Sequence, residues 1–250
     1  MKKKIAIGLV IILVLSFVMC SKENVVLDET KTYEITSDIH SLNIRINAAD
    51  FIIKHADEFS VESNLKYLSV SEENGILTII DKAKNTSNFT EPTLTLCVPN
   101  TTIFENVYIK TGAAKLSVDT FSTNTLELTL GAGDVYFKSL NVFSDVQIKG
   151  GAGEVAISNG TLNNLTLEMG LGELNLTASV LGMSDLKFGL GESNVTLIGE
   201  KNDYKINIER GLGNIIIDGK TVNDFSSSGN GQNHLNIKGG VGTINLNFQE

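Results

Sequence analysis

Acidic residues follow a Gly-x-Gly turn at regular spacing along this chain. They are Asp134, Glu154, Glu173 and Glu192, and Asn214, at the same place in a fifth turn, is expected to close the series. If equivalent segments stack about 4.8 Å apart, the carboxylates form a column whose like charges repel one another or recruit a cation. Ca²⁺ prefers carboxylate and carbonyl oxygens, so all four are candidate metal ligands. The alternative is a solvated acidic edge, in which each carboxylate accepts hydrogen bonds from turn N–H groups.

The cysteines and histidines give no pattern typical of catalysis. Cys97 lies in an apolar strand pattern without a neighbouring histidine, which predicts a buried structural thiol. No two of His40, His55 and His234 have the spacing of metal ligands. No Gly-x-x-x-x-Gly-Lys-Ser/Thr pattern and no Gly-x-Ser-x-Gly occur, so neither a nucleotide site nor a nucleophile elbow is indicated. We therefore expect no enzyme activity, no catalytic residues and no cofactor other than Ca²⁺.

The first twenty residues have the pattern of an export signal. Lys2, Lys3 and Lys4 form a basic region, Ile5 to Met19 is apolar apart from Gly8 and Ser16, and Cys20 is followed by polar residues. This arrangement is similar to a bacterial lipoprotein signal, in which Cys20 would be the lipidated residue. The alternatives are an uncleaved signal anchor and free secretion. Each of them predicts that residues 21–250 lie outside the cytoplasm, and the first two predict that the membrane is a partner.

The composition excludes some partners. The formal net charge is −9, and it becomes more negative if the three lysines of segment 1–20 are removed. Such a surface repels phosphate backbones, so nucleic acid is not an expected partner. Trp is absent, and Arg45 and Arg210 are the only arginines. Residues that often dominate binding interfaces are therefore scarce.

The turns belong to an internal repeat of about 19–20 residues. Each copy has alternating apolar positions on both sides of the turn, which is the pattern of two strands that meet at a corner. Six copies begin at Gly131, Gly151, Gly170, Gly189, Gly211 and Gly240, after a degenerate copy at Gly112. The glycines are expected to supply a positive φ or a tight corner. Gly172→Val should thus destabilise the fold by roughly 1–3 kcal/mol, and replacing Gly229, in a long loop, by much less.

The middle residue of each turn is apolar, and we expect it to point inward at the corner. These residues are Ala132, Ala152, Leu171, Leu190, Leu212 and Val241. Two architectures fit the repeat. One is a parallel β-solenoid in which each copy is a coil, and the other is a meander or sandwich in which the turns are hairpins. We favour the solenoid, because equivalent positions share a residue type, as expected when each stacks on its own copy.

The chain is expected to be all-β, with one β-strand-repeat domain at 21–250 after the signal or anchor at 1–20. Residues 25–111 form its irregular part and residues 112–250 its regular part. Asn74-Gly75 between two apolar runs predicts a hairpin. Residues 219–234 are rich in Ser, Asn and Gly and predict a loop.

The whole pattern resembles the bacterial "putative adhesin" family of β-strand-repeat envelope proteins, which is related to toastrack domains. The resemblance rests on Asn47 to Phe51, Glu73 to Ile79, Leu94 to Pro99 and the Gly-x-Gly-Asp/Glu turns, and it spans roughly residues 30–250. It implies a β-solenoid-like fold, an extracytoplasmic location, and for some members a link to envelope-stress responses. It implies no catalytic residues. Lys115, Asn214 and Thr243 depart from the pattern, because an acidic residue is commoner at those places.

Three functions follow from these observations. The first is a cell-envelope-anchored, non-catalytic binding or scaffold module, adhesin-like or associated with envelope stress, with an unidentified envelope or surface partner. The second is a Ca²⁺-stabilised structural module built on the acidic column. The third is a polysaccharide-active enzyme, which rests only on analogy with other parallel β-helix folds.

Overall fold

The computed structural model describes residues 27–83, 91–223, 225–226 and 231–250. Within these ranges the chain forms β-strands and one 3₁₀ turn, Lys201–Asp203. The strands are β1 Leu27–Glu34, β2 Ser41–Ile46, β3 Asp50–Ala56, β4 Ser60–Leu65, β5 Leu68–Glu73, β6 Ile76–Asp81, β7 Thr93–Pro99, β8 Phe104–Ala113, β9 Lys115–Ala132, β10 Val135–Ile157, β11 Gly160–Asn163, β12 Leu165–Leu181, β13 Met183–Ile198, β14 Tyr204–Glu209, β15 Leu212–Ile217, β16 Lys220–Val222, β17 Phe225–Ser226, β18 Asn233–Lys238 and β19 Val241–Gln249. The expected all-β class is confirmed for these residues.

The repeats form a parallel β-solenoid in which one coil corresponds to one repeat. The long strand β10 pairs in parallel with β9 on one side and with β12 on the other. Val146 faces Leu126 in one neighbour and Leu165 in the other, so the register is shifted by one repeat at each step. The Gly-x-Gly turns join successive segments of one coil. The solenoid is therefore confirmed, and the hairpin interpretation of these turns is wrong.

The core is a set of apolar columns inside the coils. Alternate residues of each strand point inward, so that Leu128, Ile148 and Leu167 stack in register and are fully buried. Burying one such side chain stabilises the fold by about 1.5–3 kcal/mol. The intervening residues point outward and form parallel polar columns, which makes the outer surface as regular as the core.

The corner glycines are required because neighbouring coils approach each other through their backbones. A Cβ added at Gly172 would overlap the carbonyl oxygen of Gly153, and φ at Gly172 is +132°. A Cβ at Gly170 would come within 2.5 Å of the carbonyl oxygen of Gly151. Most corner glycines likewise lie over the backbone of a glycine in the neighbouring coil, and the expected backbone role of these residues is confirmed.

The coils do not stack entirely in chain order. The C-terminal strand β19 lies between β13 and β15, and β18 likewise lies between β13 and β14. Thr243 therefore follows Glu192 in the column, and Asn214 lies one coil further out. The expectation that Asn214 closes the acidic column directly after Glu192 is wrong, because it assumed consecutive stacking.

Both ends of the solenoid carry antiparallel strands. At one end β5 pairs with β6, and β4 lies between β1 and β7. The β5–β6 turn contains Asn74 and Gly75 at positive φ, which confirms the predicted hairpin. At the other end β16 pairs with β15 and β17 with β14. Part of segment 219–234 is thus strand where a loop was expected, and it covers edges that would otherwise be open for pairing.

Candidate functional site

The middle residue of each Gly-x-Gly turn points outward. Leu171 and Leu190 are each 50% exposed, Val241 is 45% exposed and Leu212 is 77% exposed. They stack in the order Leu171, Leu190, Val241, Leu212 and form what we call the corner ridge. The expectation that these residues point inward is wrong. Met169 and Leu174, on either side of the turn, already fill the inner side of the corner, so the residues between them lie outside it.

The four predicted acidic residues do lie in one column beside this corner. Glu154 faces Glu173, and Glu173 faces Glu192, in adjacent coils. Asp134 Oδ1 accepts a hydrogen bond from the backbone N–H of Glu154 at 3.0 Å. In the part of the chain that the structure describes, no three His, Cys, Asp or Glu side chains are grouped as metal ligands.

A ladder of asparagine side chains runs along the acidic column. Asn175 Nδ2 donates to both Glu154 Oε1 and Glu173 Oε1 at 2.8 Å. Asn194 donates to Asn175 Oδ1 at 3.0 Å, and Asn245 donates to Asn194 Oδ1 at 2.7 Å and to Glu192 Oε1 at 3.0 Å. The ladder holds the carboxylates with neutral donors. The ladder was not predicted from the sequence, although Asn occurs two positions after the column residue in three copies of the repeat.

We expect Glu173→Gln to be neutral or slightly stabilising, by up to about 0.5 kcal/mol, in low salt without Ca²⁺. The substituted side chain keeps an oxygen that can accept from Asn175, and it removes the repulsion from Glu154 and Glu192. High salt should shrink the gain. Thermal melts of Glu168→Gln are the control, since Lys187 Nζ donates to Glu168 at 2.9 Å and this bond lowers the pKa of Glu168. The control should lose stability slightly.

The same thermal melts are then repeated in the presence of Ca²⁺. A rise in the wild-type melting temperature with Ca²⁺, absent in Glu173→Gln, would support the Ca²⁺-stabilised alternative. A clear loss of stability in Glu173→Gln that changes with neither salt nor Ca²⁺ concentration would contradict both charge repulsion and cation binding. The carboxylate would then be an individually required hydrogen-bond acceptor.

A polar groove crosses the outer face formed by the segments that precede the corners. Its volume is about 580 Å³, within the range of ligand sites. Side chains from successive coils line it in columns, because Tyr108 faces Glu127 and Glu127 faces Gln147. We call it the outer groove, and its polar lining includes Asn43, Arg45, Asn106, Tyr108, Glu127, Asp145, Gln147 and Asn164.

The outer groove offers amide, carboxylate, guanidinium and phenol groups in one place. The Arg45 guanidinium carbon lies 5.4 Å from the centre of the Tyr108 ring. Asn43 Oδ1 is buried and has no hydrogen-bond partner among the described residues. Asn106 Oδ1 accepts from Thr125 Oγ1 at 2.9 Å. The groove could not be predicted from the sequence, because its residues come from coils whose adjacency is fixed only by the stacking register.

Within the described residues, Cys97 and the histidines belong to no group of three or more side chains that could hold a metal ion. Cys97 is a buried free thiol, as expected. His40 Nδ1 lies 3.2 Å from Glu105 Oε2 at the surface, and His55 on β3 faces Val98 on β7, the residue next to Cys97. The lipidation candidate Cys20, with segment 1–20, lies outside the described residues. Among the residues that the structure describes, no helix is long and apolar enough to cross a membrane.

The stacked parallel coils, the glycine corners and the outward polar columns define a β-solenoid protein of the toastrack type. The sequence profile of the Toastrack DUF4097 family matches residues 20–244. The chain belongs to this family. A comparison with curated proteins finds no match.

Several solved structures are similar to this chain, and one of them supports the fold. A protein described as a "putative adhesin" from Bacteroides fragilis superposes with a TM-score of 0.55 at 16% identity, covering 87% of this chain and 95% of its own. A "putative cell adhesion protein" from Clostridium sporogenes shares 18% identity over 88% of this chain and 99% of its own, with a TM-score of 0.35. A "putative lipid binding protein" from Parabacteroides distasonis shares 17% identity over 88% and 97%, with a TM-score of 0.43.

Proposed function

We propose that this protein is an extracytoplasmic, membrane-anchored binding module of adhesin-like, non-catalytic character that recognises a hydroxyl-rich ligand, such as an oligosaccharide, in the outer groove. The observation that carries the proposal is the composition of that groove. Neutral amides that both donate and accept hydrogen bonds lie in register beside the Tyr108 ring and one guanidinium. The description of the similarly folded Bacteroides fragilis protein as a "putative adhesin" supports a binding role.

The groove suits polyhydroxyl ligands better than strongly charged ones. Among the described residues, Arg45 is the one cation in the lining beside the carboxylates Glu127 and Asp145, so the lining carries charges of both signs and a small formal net charge. Sugar hydroxyls donate and accept, and amide side chains can satisfy both functions at once. The groove is built on paired strands, so its groups are held in place before a ligand arrives, which lowers the entropic cost of binding.

We expect the double variant Asn106→Ala, Gln147→Ala to bind its polysaccharide about tenfold or more weakly, since each lost hydrogen bond costs about 0.5–1.5 kcal/mol. The measurement is binding of purified protein to an array of bacterial and host surface polysaccharides, followed by titration of the hits. Thr95→Ala, Thr177→Ala, on the outward side of the segments after the corners, is the matched control and should bind as wild type. Equal binding by the groove variant and the wild type, or no binding to any polysaccharide, would contradict the proposal.

The membrane anchor is tested in bacterial cells that express the full chain. Segment 1–20 combines a basic start, an apolar run and Cys20, so the wild type should incorporate a fatty-acid label and stay with the membrane fraction. Cys20→Ala should lose the label. Membrane retention without any label in the wild type would favour the uncleaved signal anchor, and release into the medium would favour secretion.

A further inference from the structure

The corner ridge is a row of apolar side chains without cover. Each member stands between two glycines, which have no side chains to shield it, and its neighbours in the ridge lie in adjacent coils. In the preceding coils the same place is taken by alanine, at Ala113, Ala132 and Ala152. Large apolar side chains at this corner therefore occur only in the last four coils of the described stack. Contiguous exposed apolar surface of this kind marks interaction sites.

The two flanks of the ridge differ in charge. On the flank before the corner, Lys187 pairs with Glu168 at 2.9 Å and Lys238 with Glu209 at 3.2 Å. On the flank after the corner, Glu154, Glu173 and Glu192 accept hydrogen bonds from asparagine amides, and none of the ion pairs in the described part of the chain includes them. The negative charge of that flank is therefore open to a partner's cations. Arg210 is exposed on the outermost coil, at the far end of the ridge.

The spacing along the ridge fits one kind of partner. Ridge residues repeat about every 4.8 Å, the distance between paired strands. One turn of an α-helix rises 5.4 Å, so an apolar stripe with one residue per turn can follow the four ridge residues with a mismatch of about 2 Å over their length. An extended strand presents one face about every 6.6 Å, so its mismatch grows to about 5 Å over the same four residues.

We infer that the corner ridge docks a basic amphipathic helix of a partner protein. The apolar stripe of that helix packs along Leu171, Leu190, Val241 and Leu212, and its Lys or Arg side chains reach Glu173 and Glu192. Helices recognised by an apolar stripe are a recurrent mode of binding. The ridge shares no residue with the outer groove, so this inference stands independently of the proposed ligand.

Other occupants fit the charges less well. A second copy of this chain carries the same acidic column and the same net charge of −9, so it brings no excess of cations to the flank. A bilayer surface rich in anionic lipid is repelled by the flank that carries Glu173 and Glu192. A basic helix is attracted to the acidic flank and also covers the apolar residues.

The test uses a designed helix of leucine and lysine with one leucine stripe, labelled for fluorescence anisotropy. A matched probe has glutamate in place of every lysine. We expect the lysine helix to bind the wild-type protein more weakly as salt rises, and the glutamate helix to bind at least tenfold more weakly. Leu171→Ser, Leu190→Ser should weaken binding of the lysine helix at least tenfold, and Glu173→Gln, Glu192→Gln about three- to tenfold.

Phe143→Ser is the control variant, because Phe143 is also 50% exposed but lies outside the corner ridge. It should bind the lysine helix as the wild type does, and melting curves should show every variant folded. Equal binding by the ridge variant and the wild type, or by the two helices, would overturn the inference. So would ridge-dependent dimerisation of the protein alone or ridge-dependent binding to vesicles of anionic lipid, since each assigns the ridge to another occupant.

Discussion

Gly172→Val is expected to destabilise the protein by about 2–6 kcal/mol. Two costs add at this position. The first is the backbone, because φ of +132° is strained for a residue with a side chain and costs about 1–3 kcal/mol. The second is overlap of the new Cβ with the Gly153 carbonyl oxygen, a backbone atom that cannot rotate away. Overpacking of this kind costs about a further 1–3 kcal/mol. The expectation therefore exceeds the one from sequence alone, which included only the backbone.

Gly219→Val separates the two costs. Gly219 also has a positive φ, of +75°, but a Cβ there would meet no atom within 4 Å. It replaces Gly229 as the comparison, since Gly229 lies outside the described residues. Urea denaturation of both variants should show a loss of about 1–3 kcal/mol for Gly219→Val and a larger one for Gly172→Val. Equal losses would mean that contact between stacked coils adds nothing to the glycine requirement.

The repeat could be predicted from the sequence because stacking requires the same residue type at equivalent positions of successive coils. A residue that lies on its own copy in the next coil meets the same constraint in each coil, so Gly153, Gly172 and Gly191 share one backbone reason for their type. The alternation of buried and exposed residues is equally local. These two features suffice to predict the parallel solenoid, the corners and the alignment of the acidic residues.

The sequence did not predict which way the middle residue of each Gly-x-Gly turn points. It did not predict the outer groove either. An apolar residue between two glycines suggests burial, yet Leu171 is exposed, because the space inside the corner is filled by Met169 and Leu174. The outer groove depends on which coils are adjacent, and β2, far from β9 in the chain, reaches it through β8. Such neighbours follow from three-dimensional order, which periodicity alone does not fix.

The order of the last coils is the clearest case. The repeats at Gly211 and Gly240 have equivalent sequences, so either could have paired with β13. In the structure, β18 and β19 occupy that place, and β14 and β15 pair outside them. The last strands of the chain are therefore internal in the stack. The coil at 204–217 has no parallel partner other than β18 and β19 in the described structure, and its remaining partners are the short antiparallel strands β16 and β17.

Deleting residues 233–250 should consequently unfold more than the deleted coil. Without β18 and β19, the coil at 204–217 retains only short antiparallel pairs, and two-stranded pairs are marginal in water. We expect trypsin to cleave rapidly at Lys205 and Arg210 in the shortened protein, while the coils up to residue 198 stay protected. Limited proteolysis with mass spectrometry of the fragments measures this. The opposing result is protection at both sites, which would show that the equivalent coil moves inward and pairs with β13 directly. Protection would mean that either coil can pair with β13 and that coil order depends on which one is available. Cleavage would mean that only the coil formed by β18 and β19 fits against β13.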